Sequence, residues 1–168
     1  VEARDKKTGE MLFQSKNLWV IMDMIKGRPE RPSYIDGRLP YVDPQLRHFD
    51  PALPKFPSED EYNEGSFDSL KVHPTYYDTD YNRHVNNISY IVWLMESFPH
   101  EYLDHNLPEF FDVEWKKQCH LGDEIRVETK KKENSEEYYT KILRKCEDGS
   151  EEIAFHGITR WRKRVLDK

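Results

Sequence analysis

Ten consecutive residues, Asp78-Thr79-Asp80-Tyr81-Asn82-Arg83-His84-Val85-Asn86-Asn87, bring together two carboxylates, three carboxamides and one imidazole. They stand directly before ISYIVWLMESF, where Ile88, Ile91, Val92, Met95 and Phe98 recur at helical spacing. A helix N-terminus exposes unpaired N–H groups at the positive end of its dipole. Such donors can hold a carbonyl oxygen as it gains negative charge. Histidine is the side chain that ordinarily titrates near neutral pH, so it can carry a proton, with a carboxylate or amide to orient it. The stretch therefore has the composition of an acid–base site that attacks a carbonyl. The same residue types also suit a plain polar turn, because Asp and Asn bond readily to nearby backbone. Chemistry alone leaves both readings open.

The flanking elements decide how such a loop is held. Asn86 is placed as an N-cap, Val85 and Tyr90 as a hydrophobic staple, and Pro99 stops or redirects the helix. SLKVHPTYY before the loop reads as a strand, with Pro74 marking an edge or bulge. After the helix come four strand patterns: FFDVEWKKQC, DEIRVETKKK, EEYYTKILRKC and EEIAFHGITRWRKR. Phe111, Val113 and Trp115 alternate in the first, and Ile125, Val127 and Thr129 in the second. Asn134-Ser135 and Asp148-Gly149 are the turns that separate the later strands. The order is strand, one long helix, antiparallel meander, which assigns residues 67–165 to one α+β domain.

Two further regions precede it. Residues 1–26 read as a hairpin, VEARD and MLFQSKNLWVIMDMI joined by a turn with Gly9 at its tip. Residues 27–66 hold seven prolines and few periodic apolar positions, which reads as an extended interdomain linker. The formal net charge of −6 argues against nucleic-acid binding. No apolar run approaches the ~20 residues that span a membrane. Two cysteines, Cys119 and Cys146, fit a reducing compartment better than a disulfide framework. The other histidines, His48, His73, His100, His105, His120 and His156, lack metal-ligand spacing.

DTDYNRHVNNISYIVWLMES resembles the signature of hot-dog thioesterases, and most closely that of the fatty acyl-ACP thioesterases of plants and bacteria. Their motif has the form D-x-D-x-N-x-H-V-N-N followed by Y-x-x-W-x-x-E. It maps here onto Asp78, Asp80, Asn82, His84, Val85, Asn86, Asn87, Tyr90, Trp93 and Glu96. VEWKKQCHLGDEI is similar to the family's segment ending in Glu-Cys before a Gly-Asp turn, and SKNLWVIMDMIKGRPERP to the strand closing its first domain. The resemblance implies a hot-dog fold: an antiparallel sheet wrapped around one long helix, preceded by the last strands of a tandem hot dog. About half of the expected protein then lies upstream of Val1.

By the same resemblance, Asp80, Asn82 and His84 are catalytic, Cys119 matches a position proposed as nucleophile, and Asn86, Asn87 and Trp93 lie toward the substrate. Gln118 departs from the family's Glu and cannot accept a proton from water. Two routes stay open: His84 deprotonates water, the favoured one, or Cys119 attacks as a thiolate. The implied reaction releases a free fatty acid from acyl-ACP in fatty acid biosynthesis, with no cofactor beyond the substrate's own phosphopantetheine. The implied partner is acyl carrier protein, and the compartment the bacterial cytoplasm, or the plastid for a plant source. A homodimer is left open, since hot dogs pair side by side. Rival readings are an acyl-CoA thioesterase and a non-catalytic acyl-binding module. The basic clusters Lys130–Lys132 and Arg160–Arg164 suit either docking of an acidic carrier or a solvated edge.

Overall fold

A computed structural model describes residues 1–17, 19–23, 25–26, 28–31, 56–67 and 69–165. The chain divides into two compact units, Val1–Pro54 and Lys55–Lys168. In the first, β1 (Glu2–Arg4) and β2 (Met11–Gln14) form an antiparallel hairpin, and β3 (Ile21–Asp23) and β4 (Arg28–Glu30) form another. Gly9 sits in the first turn with φ of 73°, as its sequence context predicts. The single strand expected over residues 11–25 is broken instead. Ser15 and Val1 exchange N–H···O bonds at 2.8 Å and close the first ladder, so the chain leaves it at Lys16 and pairs anew at Ile21. Residues 32–55 of the expected linker lie outside the described residues.

The second unit is a six-stranded antiparallel sheet. Its strands are β5 (Glu64–Ser66), β6 (Leu70–Val72), β7 (Asn106–Trp115), β8 (Ile125–Lys131), β9 (Glu137–Lys145) and β10 (Glu151–Lys163). The spatial order is β5-β8-β9-β10-β7, with β6 beside β5 along the same edge of β8. Sheet pairing thus begins at Glu64, inside the segment expected to be linker. The turns at Asn134, with φ of 54°, and Gly149, with φ of 84°, fall where the sequence places them. The first strand pattern, expected over 69–77, pairs only over Leu70–Val72. Pro74 brings no N–H to a ladder, and the chain turns into a 3-10 turn at Tyr76–Asp78.

The expected helix forms, and a short second one follows it after Pro99. Helix α1 (Asn87–Glu96) is capped by Asn86, whose side-chain oxygen accepts from the Ser89 N–H at 3.0 Å. It ends before Pro99, and α2 (His100–His105) follows. The buried face of α1 is only partly the one its apolar spacing suggests: Phe98 is buried and Ile91 and Met95 pack against the core. Tyr90, Trp93, Leu94 and, just beyond, Phe98 are buried, while Ile88 is 69% and Val92 47% exposed. Aromatic anchors win because they remove the most apolar surface from water per residue. These residues join Val85, Ile125, Val127, Tyr138, Ile142, Phe155 and Trp161 in one core between helix and sheet. Gly157 on β10 leaves little room for a side chain under α1. A Cβ there would stand 3.0 Å from a Leu94 methyl and 3.1 Å from one of Val113.

The strands curve at bulges. Between Ile153 and Phe155 the β10–β9 register slips, and the Ala154 carbonyl accepts N–H bonds from both Lys116 and Lys117 (2.8 and 3.0 Å). That double bond ends β7 at Trp115 and deflects the chain, so Gln118–Cys119 are not strand, contrary to the sequence expectation. As an edge strand, β7 leaves Phe111 and Trp115 40% exposed, while Val113 packs on the core and the Trp115 ring meets Phe155 edge-on, centroids 5.5 Å apart. The β8 alternation holds, with Ile125, Val127 and Thr129 buried. Ser97, Thr129 and Thr140 link their hydroxyls across the core at 2.6 and 2.7 Å, and Ser97 also donates to the Leu94 carbonyl. Every polar atom of that chain has a partner, so its burial carries little penalty.

Candidate active site

The polar loop is a closed turn built on Asp80. The Asp80 N–H donates to the His84 carbonyl at 2.8 Å, and the Arg83 N–H to the Asp80 carbonyl at 2.9 Å. The Asp80 carboxylate accepts from the N–H groups of Asn82 (2.8 Å) and His84 (3.2 Å). Arg83 takes the left-handed conformation, φ of 62°, which is uncommon outside glycine and completes the tight reversal. Asn82 is therefore at the exposed tip, and His84, half-buried, at the base.

The base is tied to two neighbours. Asp78 is turned inward. Its carboxylate accepts from the Thr75 N–H and hydroxyl, each at 2.7 Å, and its carbonyl accepts from the Asn86 N–H (2.8 Å) and side-chain amide (3.0 Å). Partial burial pushes the Asp78 carboxyl up, but the bonds from Thr75 and Ser89 outweigh it and hold the group below the ordinary carboxylate range. On the other side the Val85 N–H donates to the Cys119 carbonyl at 2.8 Å, and His84 and His120 face each other as an isolated antiparallel bridge. The start of α1 follows at once. By helix geometry the amides of Asn87 and Ile88 have no acceptor within the helix.

The expected site residues thus divide. Asp80, His84, the Cys119 backbone and the first amides of α1 are gathered in one place. Asn82 and Asn87 stand exposed beside them. Asn86 spends both ends of its carboxamide on the cap and on Asp78. Trp93 is buried against Tyr90, ring centroids 5.5 Å apart, within the core. The Gln118 side chain is exposed, and its carbonyl is held by an Arg144 N–H at 2.7 Å. Cys119 has no solvent exposure. Burial pushes its thiol up, against a smaller opposing effect of the Tyr90 hydroxyl, so thiolate is disfavoured.

Four residues not singled out for a site role in the sequence hold the second segment of the site. The Tyr90 hydroxyl accepts from the buried Cys119 N–H at 2.9 Å and reaches the Lys117 carbonyl at 3.4 Å. The Asp123 carboxylate accepts from the His120 N–H at 2.8 Å. Arg144 lies 3.9 Å from Asp123 and pairs with Glu152. The spacing His120-x-x-Asp123 was the available sequence signal, and it is the spacing of a local side-chain cap on backbone rather than of metal ligands. Among the described residues no group of three or more His, Cys, Asp or Glu converges to hold a metal ion.

Other surfaces bear on the site. Tyr76, Tyr77 and Tyr81 are 78%, 92% and 100% exposed in and before the loop. The Lys130–Lys132 cluster is no free basic patch: Lys130 pairs with Glu59, Lys131 with Glu136, and Lys132 with Glu61 and Glu137. Arg160 stacks over Phe110, 4.1 Å from the ring centroid. A cavity of about 370 Å³ lined by Phe67, Tyr102 and Tyr138 includes none of the loop residues. No helix among the described residues is long and apolar enough to cross a membrane.

Comparison with known proteins agrees with this architecture. The chain is 28% identical over 189 residues to oleoyl-acyl carrier protein thioesterase 2 of Arabidopsis thaliana, covering 96% of this chain and 50% of the relative. It is 27% identical over 169 residues to a dodecanoyl-[acyl-carrier-protein] hydrolase of Cinnamomum camphora, covering 98% and 43%. The chain spans about half the length of the curated relatives it matches. Among solved structures, the 12:0-ACP thioesterase of Umbellularia californica superposes with a TM-score of 0.64 at 20% identity, over 97% of this chain and 61% of that one. An acyl-ACP thioesterase of Bacteroides thetaiotaomicron gives 0.57 at 19%, over 84% and 53%. The fold is shared with these proteins, and the expected hot-dog architecture holds. Residues 61–163 match the family of the acyl-ACP thioesterase C-terminal domain, and the chain belongs to that family.

Proposed function

We propose that this chain hydrolyses a fatty acyl thioester carried on acyl carrier protein, with His84 as the base that activates water. The observation that carries the proposal is the placement of His84. Its backbone is fixed by Asp80 on one side and by the bridge to His120 on the other, two residues before the cap of α1. In the proposed route His84 takes a proton from water, and the hydroxide adds to the thioester carbonyl. The free first-turn amides of α1 donate to the oxyanion. The C–S bond then breaks, and the His84 imidazolium returns its proton to the leaving thiolate. A positioned general base contributes ~10²–10⁴-fold, and an oxyanion donor a comparable factor. The reaction so written draws on water, the His84 side chain and backbone amides, and the thiol arm belongs to the substrate.

Water attack is preferred to attack by Cys119 because that thiol is sealed in the core and its ionisation is opposed. The acyl carrier protein reading is supported by the names of the relatives, each of which acts on that carrier. Turnover on acyl-ACP and acyl-CoA of equal chain length, by the full gene product and by its His84→Ala variant, tests the proposal. Hydrolysis of acyl-ACP that falls at least a hundredfold in the variant is expected. A clear preference for CoA would make it an acyl-CoA thioesterase, and acyl binding without hydrolysis would make it a binding module.

A further inference from the structure

We propose that His120 is a positioning residue for His84, an inference that rests on the proposed function above. The two residues are direct cross-strand partners, which places their side chains on the same face. Their rings meet edge to face, centroids 5.2 Å apart and planes at 82°, within the geometry that aromatic pairs favour. His120 is held from behind. Its N–H donates to the Asp123 carboxylate at 2.8 Å, and its Nδ1 lies 3.9 Å from the same oxygen. Asp123 is itself 3.9 Å from Arg144, which bonds the Gln118 carbonyl at 2.7 Å and pairs with Glu152. A line of side chains thus runs from β10 through β9 to the ring against His84.

The consequence is orientational. His84 is half-buried on an otherwise open turn whose neighbours Tyr81, Asn82 and Arg83 are all exposed. Without a flat partner its imidazole is free to rotate about χ1 and χ2 and loses its aim at the water. Any ring of the right thickness should serve, because the contact is made by the shape and quadrupole of the aromatic rather than by a nitrogen. That separates positioning from proton transfer.

The test compares His120→Ala and His120→Phe by steady-state turnover and by NMR of the His84 ring carbons and nitrogens. The worth of an aromatic pair predicts a fall of about two- to tenfold in kcat for His120→Ala, with KM little changed. His120→Phe should return kcat to within about twofold of the parent. The His84 ring signals should show averaging in His120→Ala and a single fixed orientation in the parent and in His120→Phe. Unchanged kcat and unchanged His84 signals in His120→Ala would overturn the proposal. So would a His120→Phe variant as impaired as His120→Ala, since the imidazole nitrogens would then be what matters. If the parent proves inactive, the functional reading fails, and the ring measurement still decides whether His120 orients His84.

Discussion

Removing the Tyr90 hydroxyl is the sharpest test of how the site is assembled. Tyr90 is 2% exposed, and its ring packs on Trp93 and on Phe155 with centroids 5.5 and 5.7 Å away. Tyr90→Phe keeps those contacts and deletes one oxygen. That oxygen accepts the N–H of Cys119, a residue with no exposure, so the donor is left in the core without its partner. An orphaned buried donor costs ~1–3 kcal/mol, more than the bond itself contributes. The weaker 3.4 Å reach to the Lys117 carbonyl adds little. Burial and the contact with Cys119 push the Tyr90 hydroxyl up, so it stays protonated throughout any practical pH range. Urea unfolding should therefore show a loss of about 1–2 kcal/mol with an unchanged slope. Hydrogen exchange should locate the loss at the Cys119 amide, protected in the parent and fast in the variant. A loss below ~0.5 kcal/mol with Cys119 still protected would refute the reasoning, because it would mean that the segment 118–120 is held by something other than the helix.

Cys119→Ala should retain near-full turnover and lose only about 1 kcal/mol of stability from the small void, measured by the same unfolding assay. Abolished turnover in a folded variant would restore the thiolate route. Asp78 supplies a pH dependence. Its folded carboxyl titrates below the ordinary range, so its contribution is present above the unfolded value and is lost as pH falls through the carboxylate range. Asp78→Asn should accordingly lower Tm at pH 7, and the gap from the parent should shrink toward pH 3; a gap independent of pH would contradict the assignment.

Much was legible in the residues alone, and it was the local part. The cap at Asn86, the break at Pro99, the turns at Gly9, Asn134 and Gly149 and the β8 alternation follow from interactions within a few residues. The motif from Asp78 to Glu96 pointed to the family, because its order and spacing are specific enough to name one. Non-local pairing decided the rest. Which face of α1 is buried depends on where Tyr90 and Leu94 meet the sheet, and the aliphatic spacing of Ile88 and Val92 pointed the wrong way. The end of β7 depends on one carbonyl, that of Ala154, which lies 39 residues beyond Trp115. His120 was passed over as a histidine without ligand spacing. It stands against His84 because Val85 and Cys119, 34 residues apart, share a hydrogen bond. Sequence patterns record what a residue does for its own turn or strand, whereas a site made of two loops exists only once the sheet between them has closed.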